Sequence, residues 1–227
     1  MYYRFNTRYD AVSLCICIPM SLQYKPETAR RRLKNADPVM ARLIKRVGPF
    51  KMETEFELSP FEALLRAIVH QQLSMASAAA IHKRVTALFG KEIKPRTLLN
   101  MDADRLRRAG LSRAKVLAVK DLAARRLDGT VPELSVLQSE SNEAIIERLC
   151  AVRGVGQWTV EMMLIFRLGR PDVLPLADLG VRKGYHFAYG TDELPTPAEL
   201  SEAGLHWTPY RSVASWYLWR ASELDWS

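Results

Sequence analysis

From residue 59 onward the chain is punctuated as a succession of helices, and that punctuation limits the possible folds more than any other feature. Ser59-Pro60-Phe61-Glu62 is a capping box with proline at the first helical position. Behind it Phe61, Leu64, Leu65, Ile68, Val69 and Gln72 recur at i, i+3, i+4 and i+7, so most of that stripe is predicted to face a core. Ser74 is placed to cap a second helix that runs through Ala76–Ala80 to Phe89 and stops at Gly90. Asp102 opens a short helix that Gly110 closes, and Ser112 caps another that reaches about Leu127, with Gly129 beyond it. Further helices are expected near Asn142–Ala151, Gln157–Leu168, Asp178–Tyr189, Pro197–Ala203 and Pro209–Ser222. Strand signals are confined to residues 1–20 and Phe56–Leu58, and no repeat of fixed period is visible. The fold class expected is all-α with short connections.

A chain of 227 residues fits one large domain or two small ones. Its 33 lysines and arginines against 25 acids leave a net charge of +8, which favours a polyanionic partner, either nucleic acid or an anionic membrane. The excess is concentrated. Lys25–Lys51 holds nine basic residues against two acids, and Arg105–Arg126 holds eight against one. Such runs on helices are ordinarily solvated faces, and they gain meaning only beside a binding element. The apolar run Ala11–Met20 is too short to cross a bilayer and lacks a small-residue cleavage site, so neither a membrane span nor a signal peptide is expected. Cys15, Cys17 and Cys150 are too few for a disulfide scaffold or a four-cysteine cluster, which points to reduced thiols in a cytosolic protein. His70, His82, His186 and His206 show no metal-ligand spacing.

The binding element is the stretch from Leu149 to Val160, Leu-Cys-Ala-Val-Arg-Gly-Val-Gly-Gln-Trp-Thr-Val. One helix ends, two glycines flank a single apolar residue, and a second helix begins. Gly154 and Gly156 permit a turn that a Cβ would block and allow a phosphate close to the main chain. The first amides of the second helix point outward, where the helix dipole favours an anion. Val155 is expected to tuck inward and pin the two helices. A site of this kind grips backbone without reading sequence.

With apolar residues at Leu149 and Val152 and threonine at Thr159, the segment resembles the helix-hairpin-helix motif of the DNA glycosylase superfamily that carries a Gly/Pro-rich loop and a following aspartate. The stretch Asp172-Val173-Leu174-Pro175-Leu176-Ala177-Asp178-Leu179 has the matching shape, with Asp178 twenty residues beyond Trp158. The resemblance spans about Ser59 to Trp219 and is nearest to the 3-methyladenine DNA glycosylase II branch. It implies a helix-hairpin-helix glycosylase fold of two helical lobes with a cleft between them. Residues 59–169 would form a helical barrel lobe. Residues 21–58 and 170–227 would form a second lobe carrying the aspartate, with residues 1–20 as a strand-like extension. The 58 residues before the capping box are fewer than the extra N-terminal β domain of longer members requires, so a short form is expected.

The resemblance implies that Asp178 is the catalytic carboxylate, although aspartate is also a favoured helix N-cap and a helix is expected to start there. Asp172 reads as a turn residue. Arg66-Ala67-Ile68-Val69-His70-Gln71-Gln72-Leu73-Ser74 resembles the family's wedge loop, with Gln72 at the plug position between Gln71 and Leu73, where the branch pattern has leucine. Trp158, Met162 and Trp219 match positions lining the base pocket, and Met162 stands where the pattern is aromatic. Trp216, Tyr217 and Trp219 read equally well as core. Gly154, Val155, Gly156 and Thr159 would bind the DNA backbone. Carbonyls of Cys150, Val152 and Val155 would hold a monovalent Na+ or K+ ion, with no other cofactor.

Bifunctional relatives place a lysine nucleophile where this chain has Trp158, so no lyase step is expected. The function implied is hydrolytic excision of alkylated bases from double-stranded DNA by a monomer. It would be cytoplasmic, nucleoid-associated in a bacterium or nuclear in a eukaryote, with no membrane partner. The alternatives are a non-catalytic helix-hairpin-helix binding protein and a glycosylase/lyase for other damaged bases.

Overall fold

The computed structural model describes residues 22–54 and 58–226, which form thirteen α-helices and one short 3-10 turn and, among the described residues, no strand. In chain order the helices are α1 (Pro26–Ala36), α2 (Pro38–Val47), α3 (Pro60–His70), α4 (Met75–Ala87), α5 (Pro95–Asn100), α6 (Ala103–Arg108), α7 (Arg113–Leu127), α8 (Leu134–Ser139), α9 (Asn142–Cys150), α10 (Gln157–Phe166), α11 (Leu179–Tyr189), α12 (Pro197–Ala203) and α13 (Arg211–Ala221). The 3-10 turn Gly204–Trp207 joins the last two. The strand-like reading of residues 1–20, with Cys15 and Cys17, lies outside the described residues, as do residues 56 and 57 of the Phe56–Leu58 signal. Among the described residues no helix is long and apolar enough to cross a membrane.

Local chemistry set the helix starts as expected. The Ser59 hydroxyl accepts from the Glu62 amide while the Glu62 carboxylate accepts from the Ser59 amide, completing the capping box. Ser74, Asp102, Ser112 and Asp178 each accept an amide three residues on. Two helices end short of expectation, α10 at Phe166, and α4 at Ala87 with a turn carrying the chain to Gly90.

The contacts divide the chain into two compact units, residues 57–163 and residues 1–56 with 164–227, and the division falls inside α10. In the 57–163 unit α7 is the central helix. It buries Val116, Val119, Leu122 and Ala123 and packs against α3 and α5. The α3 stripe answers it with Phe61, Leu64, Leu65, Ile68 and Val69, all buried, whereas Gln72 lies beyond the helix and is exposed.

The other unit is built on α11 against α13, with α1 and α2 packed beside them. Its core holds Leu33, Met40, Ile44, Trp207, Val213, Tyr217 and Leu218. Trp216 and Tyr217 are core residues here, in line with the packing reading of that aromatic cluster. Asp37 ties the corner between α1 and α2 to the rest. One carboxylate oxygen accepts from the amides of Val39 and Met40, and the other accepts from the Tyr189 hydroxyl and from Trp207 Nε1. The close approach of α11 to α13 depends on Gly184, where a Cβ would fall 1.8 Å from the Leu218 carbonyl oxygen. Only glycine fits where two helix backbones come this near.

Candidate active site

The proline-punctuated loop before α11 is stitched to the start of α13. Asp172 accepts from the Arg211 amide (3.2 Å) and Nε (2.7 Å) through Oδ1, and from Nη2 (2.8 Å) through Oδ2. The Ser212 hydroxyl donates to the Arg170 carbonyl (2.7 Å) and accepts from the Val173 amide (3.0 Å), and the Ser212 amide donates to the Pro171 carbonyl (3.0 Å). Asp172 is therefore more than a turn residue: it makes a two-oxygen ion pair with Arg211, a geometry that fixes direction as well as charge. The loop then turns at Pro175, whose carbonyl accepts the Asp178 amide at 3.0 Å.

Asp178 caps α11 and is half-buried. Its Oδ1 accepts from the Val181 amide at 2.8 Å and from Trp219 Nε1, also at 2.8 Å. Trp219 lies on α13, half-buried, and stacks on Phe166 with centroids 5.5 Å apart and planes 25° from parallel. Gly180 makes room for this arrangement, since a Cβ there would meet Trp219 Cδ1 at 2.9 Å and Asp178 Oδ1 at 3.1 Å. Gly180 and Gly184, one turn apart on α11, thus admit both the indole and the α13 backbone. The indole–carboxylate bond links residues 41 positions apart, and sequence patterning gave no signal for it.

In the 57–163 unit the hairpin follows its expected course. Leu149, Val152 and Val155 are buried, and Gly154 has φ +79°, in the left-handed region. The Val155 amide donates to the Val152 carbonyl (3.0 Å), and the Thr159 amide donates to the Gly156 carbonyl (2.9 Å). A Cβ at Gly156 would meet nothing within 4 Å, so its outer side is open. Gly154 and Gly156 are exposed, Thr159 is half-buried, and among the described residues the two glycine amides have no protein acceptor. The turn is anchored to α7 by the Arg153 amide, which donates to Asp121 Oδ2 at 2.8 Å. Trp158 and Met162 stand one turn apart on α10, both half-buried.

The loop between α3 and α4 is tied down more firmly than the sequence suggested. Gln71 is half-buried, and its Nε2 donates to the Gly154 carbonyl at 2.8 Å. Lys115, assigned by pattern to a solvated basic run, places Nζ 2.7 Å from the carbonyl oxygens of both Val69 and Gln71. Gln72 is exposed with φ +56°, and Leu73 beside it is half-buried. Under the loop His70 and His82 meet edge to face at 5.6 Å. Burial, reinforced by Arg66, His82 and Lys115, pushes the His70 imidazole down to about 4, and burial with Arg66 lowers His82 too. No group of side chains with metal-ligating composition occurs among the described residues.

The profile of HhH-GPD superfamily base excision DNA repair proteins matches residues 65–209. DNA-3-methyladenine glycosylase 1 of Schizosaccharomyces pombe is 36% identical over 199 residues, covering 86% of this chain and 87% of the relative. The solved structure of 3-methyladenine DNA glycosylase from Schizosaccharomyces pombe in complex with abasic DNA superposes with a TM-score of 0.78 at 34% identity, covering 88% of this chain and 98% of that one. DNA-3-methyladenine glycosidase from Bacillus halodurans gives 0.79 at 34% identity, covering 86% and 88%. On these matches, and on the hairpin and aspartate described above, the chain belongs to the HhH-GPD superfamily of base excision DNA repair proteins.

Proposed function

We propose that this protein is a monofunctional DNA glycosylase that flips alkylated bases out of duplex DNA and hydrolyses the bond between base and sugar. The observation that carries the reading is the Asp178 carboxylate, which is aimed by two N–H donors at the start of α11. Departure of the base builds positive charge on the deoxyribose, and an anion fixed in advance stabilises that charge without reorganising. The second role of Asp178 is to orient or deprotonate the attacking water. An alkylated purine such as N3-methyladenine is already cationic, so its departure needs no general acid, and a single carboxylate suffices.

The family resemblance assigns Trp158, Met162 and Trp219 to the base pocket. An aromatic face attracts a cationic base by about 0.5–2 kcal/mol and a neutral one by less, a modest discrimination in favour of alkylated bases. One face of Trp219 is already covered by Phe166, which leaves at most the other for a base. Gly154, Val155, Gly156 and Thr159 form the surface for the DNA backbone: the Gly154 and Gly156 amides have no protein acceptor among the described residues and serve a phosphate, while Val155 and Thr159, whose amides donate to the Val152 and Gly156 carbonyls, hold the turn in shape. Gln71, Gln72 and Leu73 make up the wedge loop, with Gln72 at the plug position that fills the space left by the flipped base.

The hairpin carbonyls suit a monovalent cation. Those of Cys150 and Val155 accept no hydrogen bond among the described residues, and that of Val152, which accepts one, keeps a second lone pair. Such an ion would add positive charge beside the bound phosphate. With Trp158 in the lysine position no covalent intermediate forms. The protein works as a monomer wherever the genome lies, nucleoid or nucleus. Incubation with methylated duplex DNA, followed by mass spectrometry of released bases and an abasic-site assay, tests the reading. N3-methyladenine and N7-methylguanine are expected in the soluble fraction, and DNA binding without base release would show a binding module instead.

A further inference from the structure

We propose that Lys115 and Gln71 are positioning residues for base flipping, holding the wedge loop at a set distance from the hairpin that grips the DNA backbone. The inference rests on the glycosylase reading above. The α3–α4 loop hangs from three bonds made by two side chains. The Lys115 ammonium bridges the carbonyls of Val69 and Gln71 at 2.7 Å each, and the Gln71 amide reaches the Gly154 carbonyl at 2.8 Å. Gly154 is itself a hairpin residue, held at φ +79° with its Cβ position 3.2 Å from Ala118 Cβ on α7. Lys115 and Ala118 sit three residues apart on that helix, so α7 supports loop and hairpin from one rigid element.

The consequence is a division of labour within Gln71-Gln72-Leu73. Gln71 is a strut spent on the hairpin. Gln72 is the tip, turned outward in a left-handed backbone conformation that glutamine rarely adopts unless its neighbours hold it there. A loop already ordered avoids the entropy cost of ordering at the moment of insertion. The Lys115 bonds are charge-assisted and cap the end of α3, where a cation is favoured.

The test uses Lys115→Met and Gln71→Met in the full chain, each checked for folding by its thermal transition. The first readout needs no chemistry: emission of 2-aminopurine placed beside a tetrahydrofuran abasic analogue in a duplex, followed by stopped flow. The wild type is expected to change the emission, and each variant to slow that change about tenfold or more. The second readout is single-turnover excision from alkylated duplex relative to single-stranded DNA, where no base need be unstacked. That ratio is expected to fall about tenfold in Lys115→Met. A folded variant that keeps the wild-type fluorescence rate, or that loses excision equally on both substrates, overturns the proposal. If Lys115→Met does not fold, Gln71→Met decides through the fluorescence rate alone. Absence of base release by the wild type would count against the glycosylase reading, whereas the fluorescence still judges the strut.

Discussion

Trp219 Nε1 donates to Oδ1 of Asp178 at 2.8 Å, the same oxygen that takes the Val181 amide. One carboxylate oxygen is thereby committed to two donors, from α11 and α13, and the carboxyl plane is set by both. Trp219 thus has a use for its edge as well as for its face. Trp219→Phe keeps an aromatic ring against Phe166 and removes the donor. Hydrogen bonds to charged groups contribute about 1.5–3 kcal/mol, so the melting temperature is expected to fall by several degrees and single-turnover excision, measured well below that transition, to slow about tenfold or more. An unchanged rate would confine Trp219 to stacking.

Two glycine substitutions separate fold from binding. Gly184→Ala sets a methyl against the Leu218 carbonyl at 1.8 Å, an overlap relieved only by moving a helix. It is expected to destabilise by about 1–3 kcal/mol or more, seen as an earlier urea midpoint. Gly156→Ala meets nothing within 4 Å and should leave the unfolding free energy within about 0.5 kcal/mol of the wild type. On the proposed reading its methyl would stand where a phosphate approaches, so affinity for undamaged duplex should drop several-fold, measured by fluorescence anisotropy at fixed salt.

The histidine pair predicts a pH dependence of stability. In the unfolded chain an imidazole takes its proton near pH 6.5, whereas burial, with Arg66, His82 and Lys115 nearby, holds folded His70 at about 4. Between those values the unfolded chain binds more protons, so stability falls as pH drops from about 6.5 towards 4 and rises again as pH is restored. Urea unfolding at pH 7 and pH 5 should show the loss, and His70→Gln should reduce it. Identical pH slopes in the two proteins would contradict the assignment.

Borohydride trapping addresses the single-step character of the reaction. With tryptophan at position 158 no Schiff base should form, and no covalent protein–DNA adduct is expected under conditions that release base. A trapped adduct would restore the glycosylase/lyase alternative.

The features legible in the sequence were those encoded within three or four residues. The caps at Ser59, Ser74, Asp102 and Ser112, the buried α3 stripe and the inward Val155 all rest on local geometry, and the structure has each of them. Two of the shortest helices were not legible. Both α5 and α8 have six residues and no side-chain cap, so each spans fewer than two turns, and Pro95 at the head of α5 is the one start signal between them. Helices α1 and α2 were hidden for another reason: their basic residues dominated the pattern, although Pro26 marks the start of α1 and the Asp37 cap with Pro38 marks that of α2. Long-range partners were not legible. Nothing local says that Lys115 leaves solvent for two carbonyls on α3 and its loop, that Asp172 pairs with Arg211, or that Trp219 reaches Asp178. The resemblance brought Asp178 and Trp219 to attention, but the bond between them needed coordinates.

The most direct test of the central claim is single-turnover release of N3-methyladenine from duplex DNA by wild type and by Asp178→Asn, with DNA affinity measured in parallel. Asparagine keeps the shape and can still cap α11, so folding and binding should persist while base release drops by about 10²–10³. Release by Asp178→Asn at the wild-type rate would contradict the account, because the sugar cation would then be stabilised by something other than this carboxylate.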